Sequence, residues 1–327
     1  MPKTKTSTII KSNAQFASHN RQAGQGEHIV CVFAGAMSGI GARMLERMVM
    51  VSYHSTVFYV LWKSSEPSNA HRKRVLESIL NRGCKIVFID ADVSLISDMD
   101  AASEQILAAE EKVDYLCMSK NDIPLDEDTN TSEGVQTALS LWYFSRMRLL
   151  SNLLPFLRRS PKPRVLNILN HGAPRPPSKD YGGHGTILQY TNVMTNLIFN
   201  HLATENRRIT FILSPMGFDG AGNSHGTDAP ETAGVFLRAW HTILNVRLEV
   251  SEQLFGRRPD KALERHFYYL TSSNCGSGAF HVDEKREIVP STRPSGPFWE
   301  SDKNRPDVVW AFTDELWQTA LAHNEAN

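Results

Sequence analysis

The sequence predicts an α/β fold, a doubly wound parallel sheet between two helical layers, three layers in all, in a single domain. Three observations lead there. From His28 onward, short β-rich apolar runs alternate with longer segments of helical period, the pattern of repeated βαβ units. A glycine-rich turn follows the first apolar run directly and opens the first helix of the series. The chain has 327 residues, 41% of them hydrophobic, so one large core can be buried without disulfide or metal staples.

The elements follow in order. Residues 1–27 are polar and lack an apolar stretch long enough for a signal peptide or a membrane span, so a flexible leader on a soluble cytoplasmic protein is expected. Residues 28–327 are assigned to the Rossmann-type domain. Its candidate strands are HIVCVFAG, TVFYVLW, CKIVFID, VDYLCMS, RVLNILN and ITFILS. Its candidate helices are GIGARMLERMVM, SNAHRKRVLESILN, SLISDMDAASEQILAAEE, a long one over 132–159, and TILQYTNVMTNLIFNHLATEN. Right-handed crossovers place helices on both faces and leave a ligand crevice at the carboxyl ends of the strands. Residues 216–260 begin with a Gly-, Asp- and Asn-rich connection that reads as a mobile substrate lid or, equally, as a surface loop. GSGAFHVDEKREIV reads as a late strand or hairpin, and RPDVVWAFTDELWQTALAH as a terminal amphipathic helix.

Composition narrows the partners. Lys plus Arg and Asp plus Glu number 35 each, and no arginine-rich stripe with interleaved aromatics appears, which argues against nucleic acid and for a small, neutral or weakly charged ligand. Cys31, Cys84, Cys117 and Cys275 lie far apart and read as reduced, buried thiols. No HExxH or paired CxxC spacing suggests a metal site.

The turn Gly35-Ala-Met-Ser38-Gly39-Ile40-Gly41 carries the ligand prediction. Gly35 permits the tight turn, Gly39 lets the backbone approach a pyrophosphate, and Gly41 allows close helix packing. The helix opening near Ser38 offers unpaired N–H groups and a positive dipole end to phosphates. A packing-only glycine turn is the alternative.

With this turn in place, the sequence resembles the short-chain dehydrogenase/reductase superfamily from about His28 to Val289. YLCMSKND, EGVQTALSLWYFSRMRLLSNLLPFLR, MTNLIFNHLATEN and GAFHVDEKREIV resemble, more narrowly, fungal members of secondary-metabolite pathways. The resemblance implies that Asp92 and Val93 border an adenine, Met118 and Ser119 lie beside a ribose, and Pro215 and Gly217 flank a nicotinamide. It also implies possible homo-oligomers, with the long fourth helix and the 184–204 helix as interfaces. The second strand run is followed by Lys63, Ser64 and Ser65. No acid stands there to pair with both ribose hydroxyls of NAD, whereas Lys63 can neutralise a 2′-phosphate, so NADP(H) is the expected cofactor. Arg43 is a further phosphate candidate, or an exposed surface cation.

The resemblance breaks at the catalytic positions. The superfamily uses Asn, Ser, Tyr and Lys, with tyrosine exchanging the proton and lysine lowering its pKa and holding the ribose. Here the matching positions are Trp142 or a residue beside it, Asn170, Leu188 and Asn192. Tyr59 to Lys63 repeats the YxxxK letters, but within the second strand run, where it cannot serve. Tyr190 lies two residues past the tyrosine position, about 200° round a regular helix, and reaches the crevice only in a shifted register. Tyr181 and His184 precede that helix and are weaker candidates. His171, directly after the fifth strand, can exchange protons near neutrality and is the leading donor, with Asn170 beside it; the alternative is a histidine that only bonds its turn. An NADP(H)-dependent oxidoreductase is therefore expected, with an isomerase, cyclase or dehydratase, or a non-catalytic nucleotide-binding protein, as alternatives.

Overall fold

The computed structural model describes residues 4–22, 28–53, 55–119, 129–169, 184–215, 260–272, 275–283, 285–291 and 305–325. The six predicted strand runs all form: β1 (Ile29–Ala34), β2 (Thr56–Trp62), β3 (Lys85–Asp90), β4 (Tyr115–Met118), β5 (Arg164–Leu169) and β6 (Thr210–Pro215). The late hairpin adds β7 (Gly278–Val282) and β8 (Ile288–Pro290). They make one eight-stranded sheet of order β3-β2-β1-β4-β5-β6-β7-β8, parallel except for the β7–β8 pair. The order reverses between β1 and β4, so the loops after these two strands diverge and open a crevice at their carboxyl ends.

The helices are α1 (Thr6–Gln22), α2 (Gly39–Val51), α3 (Pro67–Ser78), α4 (Ile96–Ala109), the short α5 (Thr137–Leu139), α6 (Ser145–Leu157), α7 (His184–Glu205), α8 (Lys261–Thr271) and α9 (Pro306–Glu325). Strand residues alternate between two apolar clusters, one on each face of the sheet. Val30, Val32, Val165, Phe211 and Leu213 join the cluster under α4, α6, α7 and α9. Cys31, Phe33, Leu166 and Ile212 join the one under α1, α2 and α8. The near-continuous apolar strand runs in the sequence reflect this burial on both faces. Removing each buried Leu, Phe or Ile from water contributes about 1.5–3 kcal/mol before conformational entropy is counted.

Two expectations are corrected here. The leader was expected to be flexible, yet Thr6–Gln22 is a helix on α8. Ile9 is buried, Asn13 donates to the carbonyl and carboxylate of Glu264 at 2.8 and 2.6 Å, and Phe16 meets Phe267 edge-on. Its inward stripe of Ile9, Asn13, Phe16 and Asn20 has helical spacing but is half polar, so the apolar period is weak in the sequence. The long fourth helix starts at Thr137 rather than 132 and is interrupted by a π turn over Ser140–Phe144. The residues ahead of it serve another helix instead, because the Glu133 carboxylate accepts the Ile96 and Ser97 N–H groups at 2.7 and 2.8 Å and caps α4.

The π turn is held by side chains. Ser140 Oγ donates to the Ser94 carbonyl at 2.6 Å, Ser145 Oγ to that of Val93 at 2.7 Å, and Arg146 Nε to that of Leu141 at 2.7 Å. From α9, the Trp317 indole N–H reaches the Phe144 carbonyl at 3.0 Å, and Thr313 meets the Tyr143 hydroxyl at 2.9 Å. Helix α9 thus lies over α4 and α7, covering part of the face expected to meet a second copy.

No helix among the described residues is long and apolar enough to cross a membrane. All four cysteines are free, Cys31 and Cys117 buried in strands and Cys84 and Cys275 half-buried.

Candidate functional site

The strand ends align the crevice. In register, Ala34 faces Leu61 and Met118, Trp62 faces Asp90, Met118 faces Asn167, and Leu169 faces Pro215. The residues that follow these positions share one edge of the sheet.

The glycine turn has the geometry its sequence requires. Gly35 and Gly39 adopt φ of 72° and 55°, a region that L side chains rarely enter. Among the described residues, a Cβ on Gly39 would meet nothing within 4 Å, which leaves space above it for a ligand. Gly41 is the opposite case: a Cβ there would collide with the Ser119 side chain and lie 3.1 Å from the Gly35 carbonyl. Ser119 Oγ donates to that same carbonyl at 2.7 Å, which ties the loop after β4 to the turn after β1. Ser38 takes the N-cap position of α2 without a side-chain cap, and the first turn carries no acid. The N–H groups of Gly39, Ile40 and Gly41 are thereby left for an external acceptor. These features fit a phosphate-bearing ligand.

Beside this turn, Lys63 Nζ donates to Asp92 Oδ2 at 2.6 Å, and Ser64 donates to Asp90 through its backbone N–H at 2.9 Å and through its hydroxyl. The bond to Asp92 raises the Lys63 pKa and keeps it charged. Burial pushes the Asp92 carboxyl up, but the bonds from Lys63 and Ser94 outweigh it and hold it below the usual carboxylate range. Asp92 is fixed by its own turn, bonding the Ser94 N–H at 2.9 Å, while Asp98 of α4 accepts its backbone N–H at 2.7 Å. Val93 and Met118 line a small cavity with Gly35 and Ser119. Arg43, the other phosphate candidate, is paired with Asp260 at the start of α8.

The catalytic positions separate. Leu188 is 4% exposed and belongs to the core, which fixes α7 in a regular register. Tyr190, 46% exposed, therefore lies on the solvent side, and its expected catalytic role is corrected: the shifted register it needed does not occur. Asn192 is buried, and its Oδ1 has no hydrogen-bond partner among the described residues, an acceptor that a ligand hydroxyl would satisfy. Trp142, expected at or beside the superfamily's asparagine position, is fully buried in the π turn. Pro215 ends β6, and its carbonyl contacts His266 Nε2 at 3.1 Å; burial lowers the His266 pKa below the ordinary histidine value. Asn170, His171, Tyr181, Gly217, the expected lid over 216–259 and the His184 side chain lie outside the described residues.

Sequence reading missed Arg146. It is 5% exposed, donates from Nη1 to Asn167 Oδ1 at 2.6 Å and to the Ile168 carbonyl at 2.9 Å, and burial pushes its pKa down to about 9. Its spacing from Trp142, Leu149, Leu150 and Leu153 puts it on the buried stripe, a signal obscured by the neighbouring basic Arg148.

No family model matches the chain. An oxidoreductase of Emericella nidulans is 26% identical over 90% of this chain and 94% of its own length. A short-chain dehydrogenase/reductase of Stachybotrys chartarum is 28% identical over 61% of this chain and 63% of its own. Among solved structures, the NADPH-bound carbonyl reductase from chicken fatty liver superposes with a TM-score of 0.52 at 12% identity, covering 80% of this chain and 98% of that one, which is a likeness of fold. In its sheet order, its glycine turn at the switch point and these relatives, the chain is similar to the short-chain dehydrogenase/reductase superfamily of oxidoreductases.

Proposed function

We propose that this chain is an NADP(H)-dependent oxidoreductase acting on a carbonyl, alcohol or imine of a fungal secondary metabolite. The observation that carries the reading is the Gly35–Gly41 turn, open above Gly39 and locked from behind by Ser119. The fungal relatives named as oxidoreductases and the NADPH-bound structural neighbour support it. NADP(H), when bound, supplies or accepts the hydride. The N–H groups from Gly39 to Gly41 hold the pyrophosphate, Lys63 turns from Asp92 to the 2′-phosphate, and Asn192 Oδ1 accepts from a ribose hydroxyl. Pro215 and Gly217 flank the nicotinamide, and Asp92 and Val93 border the adenine. Leu188 has no proton to give, so that role falls to His171 with Asn170. The test is titration with NADPH and NADH, followed by assay of candidate pathway ketones with His171→Ala, Asn170→Ala and Tyr190→Phe. Loss of turnover in His171→Ala, with NADPH still bound, is the expected result; activity retained in all three variants would refute the catalytic assignment.

The burial of Leu188 favours one second reading, in which the crevice performs an isomerisation, cyclisation or dehydration, or binds nucleotide without turnover. Product formed without NADPH would select the first of these. NADPH binding without any product would select the second.

A further inference from the structure

Among the described residues, Arg146 is a buried cation with neutral partners only. Its described bonds go to the Leu141 carbonyl, Asn167 Oδ1 and the Ile168 carbonyl, and no described carboxylate pairs with it. Burying a guanidinium without a counterion is unfavourable, and an apolar side chain would fill the same space at less cost. Asn167 sharpens the point. Its Oδ1 faces Arg146, while its Nδ2 is buried and has no hydrogen-bond partner among the described residues. An aspartate there has the same shape, would keep the bond to Arg146 and would bury no idle donor. What asparagine preserves and aspartate would remove is the net positive charge.

The place of that charge gives it a use. Arg146 lines a cavity of about 10 Å³, room for about one water, together with Ala34, Gly35, Met118 and Ser119. Arg146 thus shares a small cavity with Gly35 of the glycine turn, and because it is buried, bulk salt screens its charge weakly.

We propose that Arg146 supplies a fixed, unneutralised charge to the floor of the crevice, attracting the phosphates of the bound nucleotide, and that Asn167 is neutral so that this charge stays available. The inference rests on the nucleotide-binding reading above. Arg146 acts at a distance, adding attraction to the contacts that the glycine turn makes directly.

The experiment is Asn167→Asp in the full chain, with NADPH and the uncharged nucleoside adenosine titrated calorimetrically against variant and wild type. NADPH affinity should fall on the order of ten-fold, adenosine affinity should stay unchanged, and the loss should persist at high salt. Arg146→Gln removes the charge by another route and should show the same grading, which keeps the test open if either variant folds poorly. Equal NADPH affinity in Asn167→Asp and wild type would overturn the inference while leaving nucleotide binding intact. Equal losses for NADPH and adenosine would also overturn it, since they would mark a structural role. A wild-type protein that does not bind NADPH would refute the nucleotide reading itself, and this inference with it.

Discussion

Ser119 fills the space beside Gly41: its Cβ stands 2.8 Å from the point where a Cβ on residue 41 would be built. With its hydroxyl on the Gly35 carbonyl, Ser119 braces the phosphate turn from below, so the third glycine of the motif is required by a neighbouring strand end rather than by the ligand. Gly41→Ala should therefore destabilise the fold by roughly 1–3 kcal/mol through overpacking. Urea unfolding of Gly41→Ala, Ser119→Gly and the double variant checks this. The double variant should recover part of the loss, whereas additive costs would mean that the two residues do not compete for space.

Gly39 should behave differently. Its positive φ penalises any L residue by about 1–2 kcal/mol, but no described atom lies within 4 Å of a Cβ there. Gly39→Val is expected to keep a native far-UV spectrum and lose NADPH binding, measured by nucleotide fluorescence. Undiminished binding would place the pyrophosphate elsewhere.

The pair of Lys63 and Asp92 sets up a competition for the cation. Asp92→Asn should leave Lys63 unpaired and tighten NADPH relative to NADH, while Lys63→Glu should narrow or reverse that preference. Titrations of both cofactors with both variants decide the matter. Ratios equal to the wild-type value in each would remove Lys63 from the 2′-phosphate site.

Stability should fall on mild acidification. Burial lowers the pKa of His266 and of His281, so below the unfolded value of about 6.5 the unfolded chain takes up protons that the folded one refuses. Their neutral forms favour the fold above that value, and this advantage is lost as pH drops through the window beneath it. Urea midpoints should be lower at pH 5.5 than at pH 7.5, with a smaller difference in His266→Gln. A flat profile in the wild type would contradict the burial of these imidazoles in solution.

Much of this architecture is local information. The strands could be read from short apolar runs because β1, β2, β4, β5 and β6 are buried on both faces, and the phosphate turn from three glycines because two need positive φ and the third must lack a Cβ. The substitutions at 188 and 192 were equally legible, since their chemistry is fixed by residue type. What the tertiary structure alone decided are relations between distant segments. Helix α1 holds to α8 through a half-polar stripe that has no strong period, and Arg43 is paired with Asp260, more than two hundred residues away in sequence. Tyr190 is turned from the crevice because Leu188 and its neighbours bury the opposite face of α7. Arg146 reads as one more surface cation until the π turn, β5 and the core enclose it. Periodicity reports how a segment meets solvent on average, whereas which charge meets which partner depends on contacts that exist only after the layers have packed.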